Sequence, residues 1–255
     1  MKRLFASLLM LALTLGICAQ ARAQSQTITL LCADPITATM NTLIASFEAK
    51  TGIHVAVTYG SGTGTRDTVA NGGALDVSIL LAPFPEALAK GNIDPKSATV
   101  IAQLRLALAV PKGAPKPDIS TAAAVKSTLL NAKSIISVDP DLGSVGGAAM
   151  LALQKMGIAD QLKPRIKWVG NRAAVLQSVS KGESDLALGP YLSDMRGNGF
   201  DVVGALPVDA SDPVDITGFL STSVKDPKAA RALLAYLSSH EVAPIYEAAK
   251  IFPVH

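Results

Sequence analysis

Apolar positions along this chain alternate between two periods. Residues 27–32 place Ile28, Leu30, Leu31 and Cys32 close together and read as a buried strand. Residues 37–50 then place Met40, Leu43, Ile44 and Phe47 at helical spacing until Gly52 stops them. Residues 53–59 alternate and are rich in β-branched side chains, which predicts a strand. After a glycine-rich turn the pattern predicts a short helix at 66–70, a strand at 76–81 and another short helix at 85–90. Strands separated by helices in this order predict a parallel sheet with right-handed crossovers.

A long apolar stretch at 100–110 leads into Pro111-Lys112-Gly113-Ala114-Pro115-Lys116-Pro117, the expected entry to a second lobe. The alternation then restarts, with strands at 134–138, 165–169 and 185–188 and helices at 146–155 and 173–181. A strand at 201–206 and the segment 214–221 are expected to return the chain to the first lobe. Helices close the chain at 227–237, with Leu233, Leu234 and Leu237 facing inward, and at 241–250. The expected fold class is α/β with two lobes, residues 24–108 and 208–255 forming one and 109–207 the other. No internal repeat or low-complexity tract interrupts it.

The first residues lie outside this pattern. Lys2 and Arg3 precede an apolar run at 4–17, and Ala21-Arg22-Ala23 supplies a small-x-small cleavage site, so 1–23 reads as a signal peptide cut near Ala23. Ile17 before Cys18 departs from the lipidation pattern, so the expectation is an exported periplasmic protein without a membrane anchor. Lys2, Arg3 and Arg22 account for the whole excess of 23 Lys and Arg over 20 Asp and Glu. The remainder is therefore electrically balanced, which argues against nucleic acid as a partner. Cys32 is the one cysteine beyond that segment, so no intramolecular disulfide is expected, and its apolar setting marks it as a buried small residue. His54, His240 and His255 have no metal-ligand spacing, so no metal or other cofactor is expected.

Several landmarks occur in a recognisable order: Phe47-Glu48-Ala49-Lys50-Thr51-Gly52-Ile53, Tyr59-Gly60-Ser61-Gly62-Thr63-Gly64, Gly72-Gly73-Ala74-Leu75-Asp76-Val77, Val110-Pro111-Lys112-Gly113, Asp139-Pro140 with Gly146-Gly147, and Gly182-Glu183-Ser184-Asp185. Across nearly the whole chain this resembles the molybdate-type periplasmic solute-binding proteins of ABC importers. The resemblance implies a type II periplasmic binding fold, with each lobe a mainly parallel sheet flanked by helices. It also implies a monomer with a small anion in the interlobe cleft and an ABC permease as partner. The family holds its oxyanion with backbone N–H groups and hydroxyls from five loops. The matching positions here are Pro35, Gly62 flanked by Ser61 and Thr63, Val145, Arg172, and Pro190 or Tyr191. Pro35 has neither N–H nor hydroxyl, whereas Arg66 and Arg172 suit planar carboxylates. An organic di- or tricarboxylate is therefore expected in preference to molybdate or tungstate.

Each feature has a competing reading. Gly60-Ser61-Gly62-Thr63-Gly64 is an anion seat at a helix start or a flexible turn, and it lacks the endings of a P-loop or a dinucleotide fingerprint. Gly143-Ser144-Val145-Gly146-Gly147 is a facing seat across the cleft or a close helix–strand contact. Arg66 is a ligand contact or a solvated side chain. Arg172 starts a helix, where a cation opposes the dipole, and this misfit favours function. Asp34 caps the first helix or handles a proton. Tyr59 and Tyr191 are core or cleft aromatics, Trp168 and His54 are expected to pack, and Arg105 is expected to pair across the hinge. The leading functional expectation is a receptor that closes on its ligand. The alternative is a periplasmic aconitate isomerase, an enzyme type that resembles the same family and interconverts cis- and trans-aconitate by proton transfer, here with Asp34 as base. No Ser-His-Asp order, nucleophile elbow or metal spacing points to other chemistry.

Overall fold

The computed structural model describes residues 27–73, 75–192 and 199–254; the expected signal peptide lies outside them. Strand β1 (Thr27–Ala33) leads through a 3-10 turn at Asp34–Ile36 into helix α1 (Thr37–Thr51), which Gly52 ends in the left-handed conformation at φ 72°. Strand β2 (His54–Gly60), helix α2 (Gly62–Ala70), strand β3 (Val77–Leu81) and helix α3 (Pro85–Ala89) follow, then strand β4 (Thr99–Leu104). The second unit contains β5 (Leu106–Pro111), α4 (Ala122–Asn131), β6 (Ile135–Val138), α5 (Ser144–Lys155) and α6 (Ala159–Leu162). It continues through β7 (Ile166–Val169), α7 (Arg172–Ser180), β8 (Leu186–Pro190) and β9 (Phe200–Ala205). Strand β10 (Val214–Leu220) and helices α8 (Pro227–Leu237) and α9 (Ala243–Ala248) close the fold.

Two five-stranded sheets result, ordered β2-β1-β3-β10-β4 and β7-β6-β8-β5-β9. In the first, β1 lies parallel between β2 and β3, while β10 runs antiparallel to β3 and β4. In the second, β6 lies parallel between β7 and β8, and β5 runs antiparallel to β8 and β9. The parallel centres are flanked by helices, so their strands are apolar on both faces; β3 and β6 are buried along their full lengths. Leu233, Leu234 and Leu237 of α8 are buried against the first sheet, as their spacing predicts.

The departures from the sequence pattern have physical causes. The apolar stretch at 100–110 is two strands, because Arg105 interrupts it and the chain changes sheets there. The switch therefore precedes both the Pro-rich turn and the expected lobe boundary after 108. Helix α4 is additional to the expected elements and leaves little trace in the apolar pattern because its apolar face is narrow, with Val125 and Leu129 buried one turn apart; Thr121 caps it by accepting from the Ala124 N–H at 3.1 Å. The segment at 241–250 is a 3-10 turn at His240–Val242 followed by the shorter α9. His54 does not pack inside: it is exposed at the edge strand, with Nδ1 2.7 Å from Glu48 Oε1. Trp168 is half-buried and donates Nε1–H to the Lys163 carbonyl at 3.0 Å. Cys32 is buried, and burial pushes its thiol pKa up so that it stays protonated.

Candidate functional site

A cavity of about 380 Å³ opens between the two sheets, at the carboxyl ends of their parallel strands. Open α/β sheets bind ligands at this edge. Three helices begin in its wall: α2 after β2, α5 after β6 and α7 after β7. A helix start leaves its first N–H groups without an intrahelical partner and carries partial positive charge. The three starts together make the cavity an anion environment.

The α2 start is partly satisfied from within. Ser61 is its N-cap, and Ser61 Oγ accepts from the Gly64 N–H at 2.9 Å. The expected glycine-rich turn is thus the first turn of a helix, whose first amides have no intrahelical partner. The side chains of Thr63 and Arg66, one turn apart on the same face, point elsewhere. Arg66 donates to the Pro83 carbonyl at 2.6 Å and to Thr63 Oγ1 at 3.4 Å. Neither Thr63 nor Arg66 is part of the cavity wall, whereas Ser61 and Gly62 are.

The α5 start has no side-chain cap. Ser144 and Val145 face the cavity, and Ser144 Oγ is buried with no hydrogen-bond partner among the described residues. Gly146 has the packing role instead: a Cβ there would lie 2.4 Å from the Val138 carbonyl oxygen. At α7, Asn171 caps by accepting from the Ala174 N–H at 3.0 Å, and Arg172 and Ala173 line the cavity beside it. Asn171 is a further wall residue, and the signal for it in the sequence is an Asn just before a helical run, the cap that fixes it there.

Asp34 faces these helix starts from the end of β1. Its carboxyl does not cap α1: neither the 3-10 turn nor α1 has a side-chain cap, and what Thr37 Oγ1 meets, at 2.8 Å, is the Asp34 backbone carbonyl. Pro35 and Thr37 pull the chain into the 3-10 turn, so the carboxyl is left at the cavity wall. Burial raises the Asp34 pKa, and the Arg172 charge pulls it back only in part, so it stands above its ordinary value of 3.8.

Tyr191 is not in the wall, although its neighbour Pro190 is. Its N–H donates to the Arg105 carbonyl at 2.7 Å, and its ring stacks on Phe252 with centroids 6.4 Å apart. Arg105 covers the same Phe252 ring at 4.4 Å, and Phe252 and Gln103 exchange backbone hydrogen bonds. Both residues thus belong to the crossing between the sheets. Tyr59 donates to Asn41 Oδ1 at 2.5 Å, and burial pushes its pKa up to about 12. The rest of the cavity wall is apolar, with Leu81, Val138, Leu142 and Leu176 prominent. Among the described residues no cluster of His, Cys, Asp or Glu could hold a metal ion, and no helix is long and apolar enough to cross a membrane.

Residues 28–249 match the family of bacterial extracellular solute-binding proteins. The chain is 28% identical to an aconitate isomerase from a Pseudomonas species over 235 residues, covering 89% of this chain and 88% of that one. It is also 28% identical to the molybdate-binding protein ModA of Azotobacter vinelandii over 257 residues, covering 95% and 96%. Among solved structures, the substrate binding domain of a putative molybdenum ABC transporter from Clostridium difficile superposes with a TM-score of 0.75 at 16% identity, covering 91% of this chain and all of that one. The fold is that of the type II periplasmic binding proteins.

Proposed function

The chain belongs to the bacterial extracellular solute-binding protein family, and we propose that this member binds a small polycarboxylate between its lobes and isomerises it by moving one proton. The reaction type is that of its aconitate isomerase relative. Asp34 carries the reading: a carboxyl in an anion cleft that caps no helix, has a raised pKa and feels the Arg172 charge. A receptor that only grips an anion gains nothing from a carboxylate at the seat, because like charges repel. Proton transfer requires such a group, and a raised pKa makes it a stronger base than an ordinary aspartate.

The step balances without a cofactor. The Asp34 carboxylate takes a proton from the substrate methylene, and the released electron pair delocalises through the adjacent double bond. Protonated Asp34 then returns the proton at the far allylic carbon as the double bond shifts. Arg172 and the helix starts hold the carboxylates and stabilise the developing charge, while Leu81, Val138 and Leu142 enclose the hydrocarbon. A tetrahedral oxyanion fits less well. Pro35 offers it no donor, and the apolar wall none either.

A second reading, a receptor that passes the same ligand to an ABC permease, is favoured by the three helix starts and by the ModA relatives. Thermal-shift screening tests the shared part, since a ligand at 100 times its Kd stabilises by about 2.7 kcal/mol. Di- and tricarboxylates are expected to raise the melting point; molybdate, tungstate, sulfate and phosphate are not. A shift with molybdate alone rejects both readings. A carboxylate shift without conversion of that ligand leaves the receptor.

A further inference from the structure

We infer that the Ser144 hydroxyl is the donor with which the second lobe recognises a ligand carboxylate, and that residue 62 is glycine so that this hydroxyl can reach it. The inference rests on the polycarboxylate reading of the cleft. Ser144 is 3% exposed and lines the cavity, yet its Oγ has no hydrogen-bond partner among the described residues. An unsatisfied buried hydroxyl is destabilising, so its place in the wall calls for a partner that arrives with the ligand. Gly143, before it, has no side chain to cap the helix, so the start of α5 is left uncapped beside this hydroxyl.

Gly62 supplies the second observation. A Cβ at position 62 would lie 2.6 Å from Ser144 Oγ and 3.1 Å from Ser144 Cβ. Gly62 is helical and its φ is not positive, so its backbone does not demand glycine. The demand is steric: any side chain at 62 displaces the hydroxyl or holds the lobes apart. Glycine in a helix sacrifices helix propensity, and the gain here is contact between two lobes around one oxygen.

The test is calorimetric titration with tricarballylate, a saturated tricarboxylate that cannot undergo the allylic shift, with molybdate as the comparison ligand. Ser144→Ala is expected to weaken tricarballylate binding about tenfold, the scale of one hydrogen bond to a charged group. Its melting temperature without ligand is expected to stay level or rise, since an unsatisfied hydroxyl has been removed. Gly62→Ala is expected to weaken binding as well, and adding Ser144→Ala to it is expected to cost little more. Tricarballylate binding to Ser144→Ala that equals wild type, or a lower melting temperature for that variant, overturns this inference alone. Wild-type protein that binds molybdate only, or neither ligand, overturns the polycarboxylate reading and the inference with it.

Discussion

Asp76 and Asp34 lie at opposite ends of the first sheet, and the sheet treats them in opposite ways. At the amino end, Asp76 Oδ2 accepts from Thr29 N–H at 2.9 Å and from Thr29 Oγ1 at 2.7 Å, and its Oδ1 accepts from the Lys225 N–H at 3.1 Å. Burial alone would raise its pKa, but these hydrogen bonds and the Lys225 charge outweigh burial and hold it below 3.8. At the carboxyl end, Asp34 has no such donors among the described residues; burial dominates and its pKa rises. One carboxylate ties β1 to β3, and the other lines the cavity. The difference lies in local donors, since both residues flank strands of one parallel core.

Substitutions can break this comparison or sharpen it. The largest effect is expected from Asp34→Asn, which removes the proposed base while keeping its shape. Turnover should fall by about 100-fold or more, the usual contribution of a general base, with carboxylate binding retained. Next, Arg172→Ala should weaken carboxylate binding by about 1.5–3 kcal/mol in a calorimetric titration. An unchanged Kd would remove Arg172 from the site.

Asp76→Ala should lower stability by about 2–3 kcal/mol in urea unfolding, from the lost charge-assisted hydrogen bonds, and leave ligand binding intact. Its folded pKa is lowered, so the stability it contributes is present above its unfolded value of 3.8 and is lost as pH falls through the folded value. The gap between wild type and Asp76→Ala should therefore close in acid.

The smallest effect carries the opposite sign. Asp34 has a raised folded pKa, so its favourable contribution is present below 3.8 and is lost as pH rises through the folded value. Near neutral pH, Asp34→Asn should thus match or slightly exceed wild type in melting temperature, and the difference should vanish in acid. A clear loss of stability at neutral pH would restore the capping role.

The contrast between these aspartates also shows what a sequence carries. Alternating apolar periods expose both sheets, because buried parallel strands leave continuous apolar runs such as Ile79-Leu80-Leu81. Gly-rich segments at strand ends expose the helix starts that hold Ser61, Gly62, Ser144 and Val145. Side-chain direction is not legible in the same way. Arg66 and Thr63 sit beside the site in sequence, but Arg66 turns to the Pro83 carbonyl and to Thr63 Oγ1, since one residue along a helix turns the side chain by a large angle. Tyr191 follows a wall residue yet stacks at the crossing, because β8 ends at Pro190. Asp34 resembled a cap because short polar residues before helices so often are caps; only the 3-10 turn through Pro35 removes it from that role.

The most direct measurement is proton NMR of cis-aconitate incubated with the purified wild-type protein, beside an Asp34→Asn control. The account predicts growth of the trans-aconitate signals with wild type and their absence, or a rate lower by about 100-fold, with the variant. Aconitate that binds wild type at saturation and remains unconverted would contradict the account and leave a receptor.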